Sequence, residues 1–232
     1  MTGFINYNID YVIKFGGSIL EDFEACKKTV KAISKLPGLG VRVLVVPGGG
    51  PTDNTIERLD KTAHFVPFTH HKACARAQDQ TGLMICDPVF GDTFAPCQTF
   101  EEVNEATAAG KVPVLLPSYT IFACDPFERC WEITSDAMAA WYSWFVHSKN
   151  IIIITNVDGV YPSDKIGQEG ALISEITATD LIKYGHNAVD ACTAPFLKEN
   201  GINCWIVNGS SPERIIDIVQ GRKTVGTFIK GE

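Results

Sequence analysis

Short apolar runs alternate with longer amphipathic stretches along the chain, as they do in proteins built from βαβ units. The apolar runs are bounded by glycine, proline or polar residues, and they predict strands at residues 11–13, 41–46, 111–116, 151–154, 204–207 and 226–230. Apolar positions at helical spacing predict helices at residues 21–36, 52–61, 69–81, 134–145, 179–184, 188–200 and 212–220. No low-complexity linker or internal repeat interrupts this alternation, so we expect one α/β domain over residues 1–232.

Residues that suit an anionic ligand follow five of the predicted strands. In an open parallel sheet, the carboxyl ends of the strands form the ligand crevice, so we expect these strand exits to lie along one edge. Glycines let backbone N–H groups approach a ligand closely, helix N-termini favour anions, and Lys14 adds a positive charge. The pattern therefore indicates a polyphosphate. The five exits are KFGGS at residues 14–18, PGGG at 47–50, PS at 117–118, TN at 155–156 and NGS at 208–210.

Each of these motifs has a plainer interpretation when it is taken alone. A pair of glycines after a strand is usually only a tight turn, whereas three adjacent glycines lose enough backbone entropy on folding to require a reason. The Walker pattern G-x-x-x-x-G-K-[ST] and the dinucleotide fingerprint G-x-G-x-x-G are both missing from the sequence. The P-loop and Rossmann modes of phosphate binding are therefore poor fits.

Composition and charge exclude several classes of protein. A chain of 232 residues, of which 45% are hydrophobic, is long enough for a substantial core. The formal net charge of −7 argues against a nucleic-acid-binding protein, which needs a surplus of lysine and arginine. The first residues lack a basic region followed by an apolar one, and no apolar run could span a bilayer. We therefore expect a cytoplasmic protein with no membrane partner.

The eight cysteines show no spacing typical of a metal site. No Cys-x-x-Cys pair and no tight cluster of cysteine and histidine occurs, whereas structural zinc sites usually show such spacing. Reduced thiols are the default in the cytoplasm. We therefore predict no structural metal, and we expect several cysteines, such as Cys26, Cys74 and Cys192, to behave as small buried apolar residues.

The order of the motifs resembles that of the amino acid kinase superfamily. The matching segments are VIKFGGS, VVPGGG, ITSDAMAA, ITNVDGVY and the terminal IVNGSSPERIIDIVQGRKTVGTFI, which extend over nearly the whole chain. The resemblance implies a three-layer α/β/α sandwich around a mostly parallel central sheet of about eight strands. It also implies transfer of a phosphoryl group from ATP with Mg²⁺, and assembly into a homo-oligomer, either a dimer or a hexamer.

Within this superfamily, four shorter segments resemble the aminomethylfuran phosphate kinases of methanofuran biosynthesis. They are LLPS at residues 115–118, WEITSD at 131–136, HKA at 71–73 and VNG..PERI.DI..G at 207–221. This resemblance implies that the acceptor is [5-(aminomethyl)furan-3-yl]methyl phosphate, which becomes a diphosphate used for a methanofuran-type carrier of one-carbon groups. An acceptor amine would require a carboxylate, and Asp125, Glu128 or Glu132 near Trp131 could supply it.

The family resemblance also assigns roles to individual residues. Lys14 would neutralise the transferring phosphoryl group and Asp136 would orient Lys14, so these are the predicted catalytic residues. Asp136 could instead cap the helix that follows it. The predicted nucleotide-binding residues are Gly16, Gly17, Ser18, Thr155, Asn156, Asp158, Gly159, Tyr161 and Lys165. The predicted acceptor-binding residues are Gly48, Gly49, Gly50, His71, Trp131 and Thr134.

Several of these residues have a structural alternative. His71 could donate to the acceptor phosphate, or it could lie on a helix surface or in the core, and His70 is the second candidate for the same contact. Trp131 could stack on a flat acceptor or fill the core. Asp158 could stabilise only its own turn, and Arg214 is expected at the surface.

One departure from the family pattern bears on the acceptor. Kinases of carboxylates commonly carry a second lysine in a Gly-x-Met-x-x-Lys context, whereas the matching stretch at residues 187–197, NAVDACTAPFL, has no lysine before Lys198. The uridylate kinase branch, whose acceptor is already a phosphate, shares this feature. Uridylate kinase and isopentenyl phosphate kinase activities are therefore alternatives. A non-catalytic protein that binds ATP and oxometalate, like the molybdenum storage proteins of this fold, is a further one.

Overall fold

Helices and strands alternate through a computed structural model of the protein, which describes residues 5–162, 165–184 and 188–232. The strands in these residues are β1 (Tyr11–Phe15), β2 (Val43–Pro47), β3 (Phe94–Cys97), β4 (Val112–Leu115), β5 (Asn150–Thr155), β6 (Glu175–Thr177), β7 (Asn203–Asn208) and β8 (Thr227–Lys230). The helices are α1 (Phe23–Ile33), α2 (Gly50–Ala63), α3 (Pro67–Ile85), α4 (Phe100–Ala108), α5 (Pro117–Ala123), α6 (Ser135–Phe145), α7 (Ala178–Tyr184), α8 (Thr193–Asn200) and α9 (Glu213–Val219). Within the same residues, no helix combines the length and the apolar sequence that crossing a membrane requires.

These strands join one sheet in the order β3-β4-β2-β1-β5-β7-β8-β6. β1 lies near the centre, where Ile13 is opposite Val45 of β2 on one side and Ile152 of β5 on the other. The pairings are parallel except that of β7 with β8. Every residue of β2 is buried, which explains why its sequence is a continuous apolar run rather than an alternating one. The carboxyl ends of β1, β2, β4, β5 and β7 therefore share one edge.

Helices cover both faces of this sheet. Phe15 of β1 points into a core that it shares with Val30 of α1, and α9 contributes to the same core. Val12 points to the other face, where it packs with Tyr142 of α6. α7 and α8 extend the cover of that second face through residues such as Leu181. The predicted three-layer α/β/α sandwich around a mostly parallel sheet is confirmed.

Four elements were not predicted from the apolar pattern, namely β3, α4, α5 and β6. β3 and β6 have only four and three residues and lie at the two edges of the sheet, so few of their positions are buried. α4 begins at a capping box in which the side chains of Thr99 and Glu102 each bind the other's backbone, a signal that the sequence does contain. The helix predicted at residues 188–200 is shorter, because α8 begins only at Thr193.

A single buried carboxylate ties the starts of α6 and α8 together. Asp190 is 3% exposed, and each of its two oxygens accepts three hydrogen bonds. Oδ2 accepts from the N–H and the hydroxyl of Thr134 at 2.9 and 2.7 Å, and from the N–H of Ala137 at 3.1 Å. Oδ1 accepts from the N–H groups of Cys192 and Thr193 and from the Thr193 hydroxyl. Asp190 therefore supplies acceptors for the free N–H groups of two helix starts at once.

We expect Asp190→Ala to lower the free energy of unfolding by about 3 kcal/mol or more, because it leaves several buried donors without an acceptor. Urea denaturation followed by circular dichroism measures this change. Asp180→Ala is the matched control, since Asp180 also lies in the first turn of a helix but pairs with Lys183 at the surface. We expect only a small loss in the control, because Asp180 is half exposed and its bonds to Lys183 and Thr177 lie at the surface. An equally small effect of Asp190→Ala would contradict the prediction.

Candidate active site

The two predicted catalytic residues lie together at the carboxyl end of the central strand. Lys14 belongs to β1, and its Nζ lies 2.9 Å from Oδ1 of Asp136 in the first turn of α6. The two side chains are only 12% and 11% exposed, so water screens this ion pair weakly. The cap of α6 is Thr134, whose hydroxyl accepts a bond from the N–H of Asp136. The interpretation of Asp136 as the helix cap is therefore wrong, and its carboxylate holds the lysine.

Three strand exits pack directly against one another beside Lys14, and glycine makes this approach possible. A methyl group on Gly17 would overlap the backbone of Gly50, and one on Gly16 would lie 2.5 Å from the carbonyl oxygen of Ile154. A methyl group on Gly48 would lie 3.0 Å from the backbone nitrogen of Gly17. The exits of β1, β2 and β5 therefore form one backbone surface. The predicted glycine loops are therefore in contact. Glycine is required at these positions because a larger residue would prevent the loops from packing together.

Two strand exits form the other side of the crevice, where the nucleotide is predicted to bind. Thr155 ends β5 and Asn156 follows it, next to the exit of β7. The carbonyl of Thr155 accepts from the N–H of Gly209 at 2.8 Å, and the Asn208 side chain donates to the carbonyl of Asn156 at 3.5 Å. These bonds join residues 155–156 and 208–209 into one surface, which we name the β5–β7 wall.

The strand β8 holds the glycine of the TNVDGVY segment in place. Gly159 has a φ of +156°, and a methyl group on it would overlap the hydroxyl of Thr227. That hydroxyl accepts from the N–H of Val160 at 2.8 Å and donates to the carbonyl of Ile173 at 2.6 Å. Gly159 is thus required by a contact with β8, and the loop that contains it depends on that strand.

Arg214 at the start of α9 binds Asp158 in the same loop. Its Nη1 lies 2.5 Å from Oδ1 of Asp158, and the arginine side chain is only 15% exposed. The expectations that Arg214 lies at the surface and that Asp158 stabilises only its own turn are therefore wrong. Burial, together with the nearby Asp158 carboxylate, raises the pKa of Tyr161, so the phenol of this predicted nucleotide-binding residue is uncharged at neutral pH.

Ser18 and Lys165 are predicted nucleotide-binding residues whose side chains point to solvent. Ser18 is exposed in a single turn of 3-10 helix at Gly17–Glu21. Lys165 is exposed just after residues 163–164, which lie outside the described part of the chain. Neither side chain has a hydrogen bond or an ion pair with another residue of that part. Their contacts with a nucleotide stay predictions.

A small cavity lies between α2, α3 and the segment that precedes α6, and it encloses about 70 Å³. Three predicted acceptor-binding residues line it, namely His71, Trp131 and Thr134. Ser135 also lines it and is the direct neighbour of Asp136 in α6. The cavity, which we name the acceptor cavity, therefore borders the Lys14–Asp136 pair.

One side of the acceptor cavity is a stack of two aromatic rings. His70, which is 5% exposed, lies with its ring 4.7 Å from that of Trp131 at an angle of 16°. The indole N–H of Trp131 donates to Oδ2 of Asp60 at 2.7 Å, which fixes the plane of the ring. Trp131 is 38% exposed, so the interpretation of this residue as a core filler is wrong. Its ring is available to a flat ligand.

His71 is held by a carboxylate of the following segment. Its Nε2 lies 2.8 Å from Oδ1 of Asp125, which also pairs with Arg129 at 2.6 Å and Lys72 at 3.3 Å. Although burial opposes ionisation, the hydrogen bonds from these three partners lower the pKa of Asp125. The charge of Asp125 is thus already matched within the protein, which argues against it as the partner of an acceptor amine.

Thr134 has a structural role that the sequence did not reveal. Its hydroxyl donates its proton to Asp190 at 2.7 Å, and it accepts a bond from the N–H of Asp136. The hydroxyl proton is therefore already used inside the protein. A contact between Thr134 and the acceptor stays a prediction.

Asp53 is a residue of the acceptor cavity that sequence reasoning missed. It lies in the first turn of α2, three positions after the last glycine of PGGG, and its Oδ1 is buried with no hydrogen-bond partner among the described residues. Burial raises the pKa of Asp53, although the Cys74 thiol and the charge of Lys14 oppose this effect. Glu128 and Glu132, by contrast, are exposed and do not line the cavity. An acid one turn after a glycine loop is the signal that could have identified it.

A profile of the amino acid kinase family matches residues 11–208, which contain both Lys14 and Asp136. The chain belongs to the amino acid kinase family. A member in Methanocaldococcus jannaschii, [5-(aminomethyl)furan-3-yl]methyl phosphate kinase, is 29% identical over 95% of this chain and 98% of its own. A uridylate kinase of Haloarcula marismortui is 27% identical over 95% of this chain and 98% of its own. The crystal structure of uridylate kinase from Archaeoglobus fulgidus superposes with a TM-score of 0.75 at 22% identity, covering 95% of this chain and all of that one.

Membership of the amino acid kinase family confirms the expected class of reaction. The relatives are kinases, so the protein is a phosphotransferase, and the family's use of ATP as phosphoryl donor applies to it. Over the described ranges, no group of three or more histidine, cysteine, aspartate or glutamate side chains is arranged to hold a metal ion.

We expect Lys14→Ala to reduce turnover about a hundredfold or more, because it removes a buried cation from the place where negative charge develops during phosphoryl transfer. Steady-state ADP release, measured with the acceptor that the unmodified protein uses best, gives this number. Lys61→Ala is the matched control, since this lysine pairs with Glu57 and its side chain is 72% exposed. Full activity of Lys14→Ala would remove Lys14 from the mechanism.

Proposed function

We propose that this kinase transfers the γ-phosphoryl group of ATP to a small organic monophosphate, and that the acceptor is [5-(aminomethyl)furan-3-yl]methyl phosphate. The product is the corresponding diphosphate, an intermediate for a methanofuran-type carrier of one-carbon groups. The observation that carries the proposal is the acceptor cavity beside the Lys14–Asp136 pair, with the ring of Trp131 and two histidines in its lining. The relative from Methanocaldococcus jannaschii, whose name contains this acceptor and which matches along nearly its whole length, supports the same choice.

The order of the strands supports a division of the crevice into a donor side and an acceptor side. β1, which carries Lys14, lies between β2 and β5 in the sheet. The exit of β2 leads into α2 and the acceptor cavity, whereas the exit of β5 leads into residues 155–161 and the β5–β7 wall. A nucleotide on the β5–β7 wall and an acceptor in the cavity therefore approach each other at the end of β1. Lys14 is located between them.

The reaction requires little covalent chemistry from the protein. An oxygen of the acceptor phosphate attacks the γ-phosphorus of ATP, the bond from that phosphorus to the β–γ bridging oxygen breaks, and ADP leaves. Lys14 stabilises the negative charge of the transferring phosphoryl group. Asp136 holds the ammonium group of Lys14 in place, and both side chains are largely shielded from water. Because this pair is already formed in the protein, little reorganisation is needed during transfer. Mg²⁺ would be held mainly by the phosphates of the nucleotide and would supply further positive charge to them.

Two features favour an acceptor that already carries a phosphate. The stretch at residues 187–197, which matches the segment that carries the second lysine in kinases of carboxylates, contains no lysine. Within it, Asp190 binds the starts of α6 and α8. Asn187 lies outside the described residues. A second catalytic lysine of the kind used for carboxylates is therefore not supplied there. His70, which lines the cavity, is a suitable donor to phosphate oxygens, whereas His71 has only Nδ1 left for such a contact because Asp125 binds its Nε2.

Uridylate kinase activity is the second candidate, because relatives with that name match over nearly the full chain. The buried carboxylate of Asp53 in the acceptor cavity argues against it. UMP has no cationic group to pair with such a carboxylate, whereas the aminomethyl furan does. The furan acceptor is therefore the better match for the charges of the cavity.

We expect kcat/KM for the furan monophosphate to exceed that for UMP, isopentenyl phosphate and the unphosphorylated furan alcohol by about tenfold or more. UMP and isopentenyl phosphate lack the ammonium group and the alcohol lacks the phosphate, so each leaves a charged group of the site without its partner. ADP release with Mg²⁺ and ATP measures all four, and calorimetry with a non-hydrolysable ATP analogue measures donor binding separately. A preference for the alcohol would refute the phosphate acceptor, and a preference for UMP would establish the uridylate activity. Binding of ATP without transfer to any acceptor would favour an oxometalate-binding protein.

A further inference from the structure

Asp53 is a charged group that the protein satisfies only in part, because the Cys74 thiol bonds to its carboxylate but no ion pair holds it among the described residues. Its Oδ1 is buried in the acceptor cavity, and no described residue donates a hydrogen bond to it. Asp53 is the only carboxylate in the lining of this cavity, and within the described residues that lining contains no lysine or arginine. A buried oxygen of this kind loses its bonds to water without a replacement, which destabilises the folded state.

The usual role of an acid at the start of a helix does not account for Asp53. Such acids accept bonds from the free N–H groups of the first turn, whereas no described N–H group donates to Oδ1 of Asp53. The two other acids of α2 that lie near this side chain are engaged. Glu57 pairs with Lys61 at 2.7 Å, and Asp60 accepts the indole N–H of Trp131. Asp53 differs from both because its Oδ1 has no partner among the described residues.

The preceding loop makes room for this carboxylate. Gly49 has φ −79° and ψ −13°, a conformation that alanine adopts readily, so its backbone does not require glycine. A methyl group on Gly49 would overlap the side chain of Asp53. The glycine is therefore needed for space, and it keeps the carboxylate against the loop at the border of the cavity.

We propose that Asp53 binds the ammonium group of the acceptor and thereby selects acceptors that carry a cation. The proposal rests on the proposed function, because the acceptor named there has an aminomethyl substituent. It assigns to Asp53 the role for which Asp125, Glu128 and Glu132 were the candidates from sequence. An ammonium group supplies the partner that Oδ1 lacks, and charge-assisted bonds of this type are the strong ones.

The preference for a cationic acceptor follows from the complex that an acceptor without an ammonium group would form. Such a molecule excludes water from the cavity, but it leaves Oδ1 of Asp53 buried without a partner in the complex. Lys14 supplies the opposite charge where the phosphates meet. The site therefore matches a zwitterion, with its ammonium at Asp53, its phosphate toward Lys14 and its flat ring beside Trp131.

The test compares two acceptors that differ only in the cationic group, the aminomethyl furan monophosphate and its methyl analogue, (5-methylfuran-3-yl)methyl phosphate. We expect the unmodified protein to prefer the amine about a hundredfold in kcat/KM. Asp53→Asn should reduce this preference below about tenfold, by a loss with the amine only and with less than about threefold change for the methyl analogue. Glu132→Gln is the control and should keep the full preference, since this residue is exposed and outside the cavity.

Two further measurements separate recognition from a structural role. Because burial raises the pKa of Asp53, its ionised form destabilises the folded state at pH values above that pKa. We therefore expect Asp53→Asn to raise the Tm of the ligand-free protein at pH 7 by about 2 °C, whereas loss of a structural carboxylate would lower it. Gly49→Ala, which displaces the carboxylate without removing it, should also reduce the preference for the amine.

The outcomes for the acceptor and for Asp53 are distinguishable. If the unmodified protein phosphorylates neither furan, the proposed function is wrong and the role of Asp53 is wrong with it. If it uses both furans equally, if Asp53→Asn keeps the hundredfold preference, or if that variant has a lower Tm, only the role of Asp53 is overturned. Loss of the preference together with a raised Tm supports the proposal.

Discussion

The buried carboxylate of Asp190 is the constraint on which the active crevice depends. It binds the starts of α6 and α8 together, and the start of α6 carries Asp136. Asp136 in turn holds Lys14, which is part of the strand at the centre of the sheet. One continuous set of contacts therefore extends from α8 through α6 to the reacting centre. A displacement of either helix start changes the position of the lysine ammonium.

The two sides of the crevice differ in whether backbone or side chains form their surface. At the donor side and around Lys14, the surface consists mainly of backbone, because Gly16, Gly17 and Gly48 allow three strand exits to touch. Within this surface the N–H groups of Gly16 and Gly48 donate to the carbonyls of Ile154 and Phe15, so the exits hold one another in place. The acceptor cavity is instead lined by side chains of α2 and α3 and of the segment before α6. On the proposed function, the acceptor is therefore selected mainly by side chains, whereas the transferring group meets mainly backbone and Lys14.

The sequence predicted the centre of the fold well because the central strands are buried on both faces. β2 and the middle of β5 read as uninterrupted apolar runs, and Lys14 and the glycine loops follow such runs directly. The short edge strands β3 and β6 bury few positions, so their patterns are weak. Asp190 and Arg214 were missed as partners for another reason, since the Thr134 and Asp158 side chains that they bind each lie 56 positions away in sequence. The spacing of residue types in a sequence indicates which residues are neighbours within one helix or strand, and it gives no information on pairs that are distant in sequence.

The contact of Thr227 with Gly159 and Val160 has a consequence for how the protein is made. The loop that is predicted to contact the nucleotide packs on Thr227 of β8, which follows the other strands in sequence order. Synthesis proceeds from the N-terminus, so Lys14 and the glycine loops emerge long before the strand that completes the donor side. With ATP at the proposed donor side, a growing chain that lacks β8 therefore lacks one of the contacts that support this site. It follows from the proposed function that ATP stabilises chains in which β8 has joined the sheet more than chains in which it has not.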